Sequence, residues 1–262
     1  MSQNQETPRT GSAAQRMFGS QAPVYAASQV HVSDDSLESI RRLAGDGSYS
    51  WTLDLGTGAG FTAFALAPQS QRVLATDLTR PMLEQTRRIG QERKIGNLAL
   101  SQNRAEALPV ASEAIDLVTC RVAGHHFTSL AAALDEVYRV LKPGGVLVMA
   151  DTMAPEDDAV AAWMNDIELR RDFSHVRNRP ESVIDAMLAE RGMSVLQREY
   201  ARVYLRFNEW VARTATPEQE VVSLRRDFHN ASDAVREAFQ IEEIGDDLSF
   251  SWPCLIFRAE KR

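Results

Sequence analysis

Several things are scarce in this sequence, and each scarcity narrows what the chain can be. Two cysteines occur in 262 residues, Cys120 and Cys254, each inside an apolar strand-like run. Buried thiols of a reduced, cytoplasmic protein are therefore expected rather than a disulfide. No apolar run reaches membrane-spanning length and no charged-then-apolar leader opens the chain, so neither membrane insertion nor export is expected. Positive charge is in deficit: 29 Lys and Arg against 36 Asp and Glu leave a formal net charge of −7. That balance argues against a nucleic acid backbone as the main partner, while leaving room for a local basic groove. No Cys/His cluster has metal-ligand spacing, and no metal is expected. Residues 17 to 262 carry no internal repeat and no low-complexity tract.

What is present is an ordinary globular composition, 44% hydrophobic and 25% charged, long enough for one large α/β domain with a cap. The chain is organised around Trp51-Thr52-Leu53-Asp54-Leu55-Gly56-Thr57-Gly58-Ala59-Gly60-Phe61. A short apolar run that ends in an acid and then places glycine at alternate positions predicts a buried strand feeding a tight turn into a helix. Glycine suits a backbone that bends sharply and lies against a ligand. The spacing is G-x-G-x-G, so the dinucleotide fingerprint G-x-G-x-x-G does not match. A second strand-like run, Arg72 to Asp77, also ends in a carboxylate, which in that place can accept both hydroxyls of a ribose.

Residues 1 to 16 are polar and aperiodic and predict a disordered lead-in. Leu37, Ile40 and Leu43 recur at helical spacing before Gly45. Phe61 to Ala67 predicts a helix ended by Pro68; Thr79 and Pro81 open another with Met82, Leu83, Thr86 and Ile89 inward. Strands are predicted at Asn97 to Gln102, Ile115 to Val122 and Val146 to Ala150. Between the last two, a helix starts at Thr128 and closes at the turn Lys142 to Gly145. Five strand–helix alternations predict a parallel sheet wound on both faces. Beyond 153 the pattern loosens into helices over 153–179, at Glu181 to Glu190, around Asn208 to Arg213 and within Pro217 to Phe239, with strands at Ser194 to Leu205 and Leu248 to Ala259.

The segments "LDLGTGAG", "VLATDLTRPMLE", "EALPVASEAIDLVTCRVAGHHF" and "LKPGGVLVMAD" fall in the order and spacing of the class I S-adenosylmethionine (SAM)-dependent methyltransferases. The chain resembles their small-molecule branch, which includes the ubiquinone and menaquinone C-methyltransferases. The resemblance is specific over about residues 20 to 152. It implies a doubly wound, seven-stranded, mostly parallel α/β sheet ending in an antiparallel pair. It further implies an N-terminal helical lid over 17–50, a SAM-binding core over 51–152, and the rest of the sheet over 153–262 with helical cap insertions at about 153–179 and 207–245.

By the same resemblance, the backbone of Gly56, Thr57 and Gly58 meets the amino acid part of SAM, and Gly60 and Arg121 are also expected in the cofactor site. Asp54 organises the loop or binds the amino group. Asp77 holds the ribose, Leu78 packs on the adenine, and Ala105 and Glu106 sit where the family reads the adenine edge. The aspartate usual before that alanine is here Arg104, which offers no acceptor to an adenine amino group. Glu106 or a backbone carbonyl must serve instead. Tyr25 and His31 are lid candidates, with packing or capping as the other reading.

Methyl transfer needs a desolvated, in-line and, for a hydroxyl, amine or acidic carbon, deprotonated acceptor. A histidine suits the last task. His126 is the expected base or substrate partner and His125 the alternate; both could instead cap or pack. His175 with Arg170, Arg171, Asp172 and Arg177 could clamp an anionic substrate group or fasten the cap by ion pairs. Trp163, Phe207, Trp210 and Trp252 could wall the pocket or fill the core. No Asn/Asp-Pro-Pro-aromatic signature follows the fourth strand, which counts against amino-methylating enzymes of nucleobases and glutamine. The leading expectation is a SAM-dependent methyltransferase of a small-molecule metabolite, with hydroxyl, carbon or small-amine acceptors and a homodimer left open. A SAM-binding member that does not methylate, such as a cyclase, decarboxylase or regulatory binder, is the second reading.

Overall fold

The computed structural model describes residues 12–19 and 35–262. Tyr25 and His31 lie outside the described residues. A helical segment over 13–19 begins inside the expected lead-in. Its cause is local: the Ser12 N–H donates to Gln15 Oε1 at 2.8 Å, and the Gln15 N–H donates to Ser12 Oγ at 3.2 Å. This reciprocal capping box starts a run of good helix formers, Ala13 to Met17.

The core alternates strand and helix: α1 (Asp35–Ala44), β1 (Tyr49–Leu55), α2 (Phe61–Leu66), β2 (Ser70–Asp77), α3 (Arg80–Glu92), β3 (Leu98–Gln102), β4 (Ile115–Arg121), α4 (Leu130–Val140) and β5 (Leu141–Thr152). Then follow α5 (Asp158–Arg171), α6 (Glu181–Glu190), β6 (Met193–Arg206), α7 (Phe207–Arg213), α8 (Glu218–His229), α9 (Asp233–Phe239), β7 (Glu242–Ile244) and β8 (Asp247–Lys261). The strands form one eight-stranded sheet in the order β3-β2-β1-β4-β5-β8-β6, with β7 paired to β8. β1 to β5 are mutually parallel; β8 is antiparallel to both β5 and β6. The expected seven strands are all present. The eighth, β7, is a three-residue hairpin arm with a fully exposed sequence, Glu242–Ile244, too short and too polar to read in advance.

β4 and β5 carry apolar residues on both faces because helices cover both, and β1 is apolar on the face of Leu53 and Leu55 while burying Thr52 and Asp54 on the other. Leu53, Leu55, Val118, Cys120, Leu147 and Met149 face one helical layer, while Leu117, Val146, Val148 and Ala150 pack against Ile40 and Leu43 of α1. The order reverses between β1 and β4, which opens a crevice beyond their carboxyl ends. α4 starts at a Ser129 cap, whose Oγ accepts from the Ala132 N–H at 3.2 Å, rather than at Thr128. Thr79 does precede α3, but its side chain makes no cap bond; the Asp77 carboxylate takes the Thr79 N–H instead, at 2.8 Å.

The cap is a second core above the antiparallel end of the sheet. Met164 and Ile167 of α5 meet Phe207, Trp210, Phe228, Phe239, Phe250 and Trp252 there. Phe228 is fully buried and meets Trp163, Phe207, Trp210 and Phe250 at ring-centroid distances of 4.9 to 5.8 Å. Deleting a buried ring loses both transfer free energy and packing. Phe228→Ala is expected to lower stability by about 3–5 kcal/mol in urea unfolding; a loss under about 1 kcal/mol would contradict this packing.

Candidate active site

A cavity of about 280 Å³ opens at the carboxyl edge of the parallel strands and runs under the cap. Its floor is braced by aspartates at strand ends, each tied to a neighbouring strand or to the loop that follows one. Asp54, near the end of β1, accepts from Thr119 Oγ1 of β4 at 2.7 Å and from Thr57 Oγ1 in the glycine turn at 2.6 Å. Asp77, ending β2, accepts from the Gly58 N–H at 3.0 Å as well as from Thr79. Asp151, near the end of β5, accepts from the His125 N–H at 3.0 Å and faces His125 Nδ1 at 2.6 Å. Burial pushes the Asp54 carboxyl up to about 6, with the hydroxyls of Thr57 and Thr119 and the charge of Arg121 pulling it back. Burial also raises Asp77, against the N–H groups of Thr79 and Gly58.

His125 and His126 sit in a 3₁₀ turn after β4, their rings 4.1 Å apart. The turn enters through Val122, a β-branched residue at φ +51° that is strained there and lines the cavity. Gly124 allows the next step, since a Cβ there would meet Met149 Cε at 2.5 Å and Asp151 Oδ2 at 2.9 Å. For His125, burial alone would lower the imidazole, but the Asp151 carboxylate more than offsets it and the pKa stands above the usual 6.5. The carboxylate fixes the proton on Nδ1 and leaves Nε2 as the exchangeable site. His126 is driven the other way, to about 3, by burial and by the charge of His125. Its Nδ1 faces the Ser174 carbonyl oxygen at 3.1 Å, which can only accept, so Nδ1 carries the proton and Nε2 the lone pair. Phe18 meets the His126 ring edge-on at 4.8 Å, bringing the N-terminal helical segment to the site.

A family model described as a methyltransferase domain matches residues 53–149. Bacillus subtilis YcgJ, named an uncharacterized methyltransferase, is 30% identical over 94% of this chain and 98% of its own. Its crystal structure superposes with a TM-score of 0.84 at 31% identity, covering 87% of this chain and 98% of that one. The demethylmenaquinone methyltransferase of Thermus thermophilus is 33% identical over 55% of this chain and 74% of its own. The chain belongs to the SAM-dependent methyltransferases.

The methyltransferase cofactor fits the residues present. A Cβ on Gly58, at φ +54°, would meet nothing within 4 Å, so the turn leaves open space beside its backbone. Asp54, Gly56, Thr57, Gly58, Asp77, Leu78, Ala105, Glu106 and Arg121 all line the cavity; Gly60 does not, and serves the turn from behind. Arg121 bonds Thr62 Oγ1 at 3.1 Å. Glu106 is already engaged: Oε1 accepts the Ser129 N–H at 3.1 Å and Arg104 Nε lies 3.5 Å from Oε2.

On the cap side, Arg170 and His175 of the expected cluster do not line the cavity. Arg170 bonds Asp166, Asp227 and Glu220 at 3.0, 2.7 and 3.2 Å, fastening α5 to α8. His175 is buried, with Nε2 3.0 Å from Asn165 Oδ1, and burial lowers it to about 4. The neighbouring Arg171 lines the cavity instead, one residue further round the helix. Trp210 and Trp252 line it and also belong to the cap core, whereas Phe207 and Trp163 serve the core alone. Sequence reasoning missed Asp151 and Asn103. Asp151 ends the quoted "LKPGGVLVMAD", a position equivalent to Asp54 and Asp77 in their strands; Asn103 immediately precedes Arg104.

The histidines' protonation has a measurable order. The unfolded chain binds protons near pH 6.5 that His126 and His175 refuse until about 3 and 4 when folded, so acidification through that window destabilises the fold. The His125 contribution has the opposite sign: it is complete below 6.5 and is lost as pH rises through the raised folded value. Side-chain NMR titration is expected to show one cavity imidazole titrating above 6.5 and two silent down to about 4, with Asp151→Asn lowering only the first. A first imidazole unmoved by Asp151→Asn would contradict the pairing.

Proposed function

We propose that this methyltransferase acts on a small-molecule metabolite through a hydroxyl, carbon or small-amine nucleophile, by in-line transfer with a histidine base. The observation that carries the reading is one cavity shared by the glycine turn, Asp77 and the two histidines. SAM supplies the electrophilic methyl group when bound.

The residues divide the work by chemistry. The open backbone at Gly56, Thr57 and Gly58, with the Arg121 guanidinium, suits the amino acid end, at the positive N-terminus of α2. Asp77 suits the ribose hydroxyls, which would give its buried carboxyl further donors. With Glu106 engaged, Asn103 supplies the acceptor that Arg104 cannot. Its Nδ2 donates to the Arg104 carbonyl at 3.0 Å and its Oδ1 is buried without a partner. Leu78 offers an apolar face to the base, and Ser12, Ala13, Ala14 and Phe18 of the N-terminal segment line the cavity from the side a lid would use.

The base is better assigned to His125 than to the sequence-favoured His126. An imidazole oriented by a carboxylate and titrating above 6.5 accepts a proton near neutrality. An imidazole pushed to about 3 is a weak base but a dependable neutral acceptor, which suits His126 for holding the substrate. As the acceptor gives its proton to His125, the Asp151 carboxylate stabilises the imidazolium that forms.

Titration calorimetry is expected to show binding of SAM and S-adenosylhomocysteine and none of NAD. Asp77→Asn is expected to weaken S-adenosylhomocysteine by about tenfold or more. NAD binding, or an unchanged Asp77→Asn, would overturn the cofactor placement. With labelled SAM and a panel of phenols, acids and amines, His125→Gln is expected to lower kcat by about 10²–10⁴. The acidic limb of the pH–rate profile moves to lower pH in Asp151→Asn, because losing the carboxylate lowers the His125 pKa. A limb that stays in place, or an active His125→Gln, would remove His125 from the role.

A further inference from the structure

The cap wall of the cavity has a chemistry that the cofactor does not use. It is built by Glu168 and Arg171 of α5, Trp210 and Arg213 of α7, Leu205 of β6 and Trp252 of β8. These lie at the antiparallel end of the sheet, across β5 from the glycine turn and Asp77. Among the described residues the wall's one carboxylate is engaged: Glu168 Oε1 accepts from Trp252 Nε1, and Oε2 accepts from Arg171 Nη2 at 2.6 Å. Glu168 is therefore not presented to a cation. Two guanidiniums, Arg171 and Arg213, line this wall, in a chain whose net charge is −7. Trp210, with 1% of its surface exposed, carries an indole N–H without a hydrogen-bond partner, and the Arg171 guanidinium lies 5.1 Å above its ring. A buried donor left without an acceptor carries a desolvation penalty that an incoming oxygen removes. Trp252 and Leu205 give the same wall a flat apolar stretch.

We propose that this wall is the acceptor-substrate subsite and that it selects an organic acid: a flat apolar body against Trp252 and Leu205, with a carboxylate received by Arg213 and the Trp210 N–H. This deepens the functional reading above and rests on it. The carboxylate anchors the acceptor at the cap, so its nucleophilic atom is turned back toward His125 and the strand ends. Anchor and base then lie on opposite sides of the substrate, which restricts acceptors to acids whose nucleophile and carboxylate are separated by the apolar body.

The test uses the full chain saturated with S-adenosylhomocysteine. Calorimetry compares benzoate, 4-hydroxybenzoate, indole-3-acetate and octanoate with their primary-alcohol counterparts. At least one acid is expected to bind about tenfold tighter than its alcohol. Arg213→Gln is expected to erase that preference, Arg213→Lys to keep part of it, and Trp210→Phe to reduce it, each with S-adenosylhomocysteine affinity unchanged. Alcohols binding as tightly as acids, no acid binding at millimolar concentration, or an Arg213→Gln that keeps the preference would overturn the proposal. The wild-type comparison stands even if a variant fails to fold. Failure of S-adenosylhomocysteine to bind wild type at all would instead sink the functional reading beneath it.

Discussion

Carboxylates buried at the ends of parallel strands are the constraint on which the rest of the site depends. A buried carboxylate must be supplied with donors, and at this edge the donors come from the loop beside it. Asp77 of β2 takes the Gly58 N–H beyond β1, Asp54 of β1 takes the Thr119 hydroxyl of β4, and Asp151 of β5 takes the His125 N–H beyond β4. Asp77 and Asp151 thus fix a neighbour's loop, and Asp54 joins its own glycine turn to β4. The glycine turn and the histidine turn are positioned by one chain of charge-assisted hydrogen bonds, whose members are stronger than neutral ones and directional. The parallel register makes the chain possible, because it brings Asp54 opposite Thr119 and the ends of β1, β2, β4 and β5 to a single edge.

The same constraint separates the two histidines. They are adjacent in sequence and their rings nearly touch, yet Asp151 reaches His125 and a carbonyl reaches His126. One charged neighbour suppresses charging of the other, so the two imidazoles titrate on opposite sides of the ordinary value. The left-handed Val122 and the Cβ-free Gly124 are the backbone cost of presenting both rings in so short a turn. Strain of this kind persists where surrounding structure over-determines it, and here the Val122 N–H is held by the Ala150 carbonyl at 2.8 Å.

Much of this was legible in the sequence because its signals are local. The strand-then-glycine run, the acid ending the next strand and the alternation of apolar periods identify a doubly wound sheet and its ligand edge without any long-range information. What was not legible depends on contacts far apart in the chain. The different titration of His125 and His126 depends on Asp151, and the availability of Glu106 depends on Ser129. The difference between Arg170 and Arg171 is one helical position, which decides between bonding α8 and lining the cavity. The capping box at Ser12 and Gln15 was a local signal, hidden by a composition that otherwise reads as disordered.

A crystal structure with S-adenosylhomocysteine bound tests the bracing of this edge most directly. The account predicts ribose hydroxyls on Asp77, the amino acid end along Gly56 to Gly58, and the sulfur on the side of the cavity facing His125, with the contacts from Asp54, Asp77 and Asp151 to their neighbouring loops intact. A ligand seated elsewhere, or one that binds only after those aspartates release their loops, would contradict it.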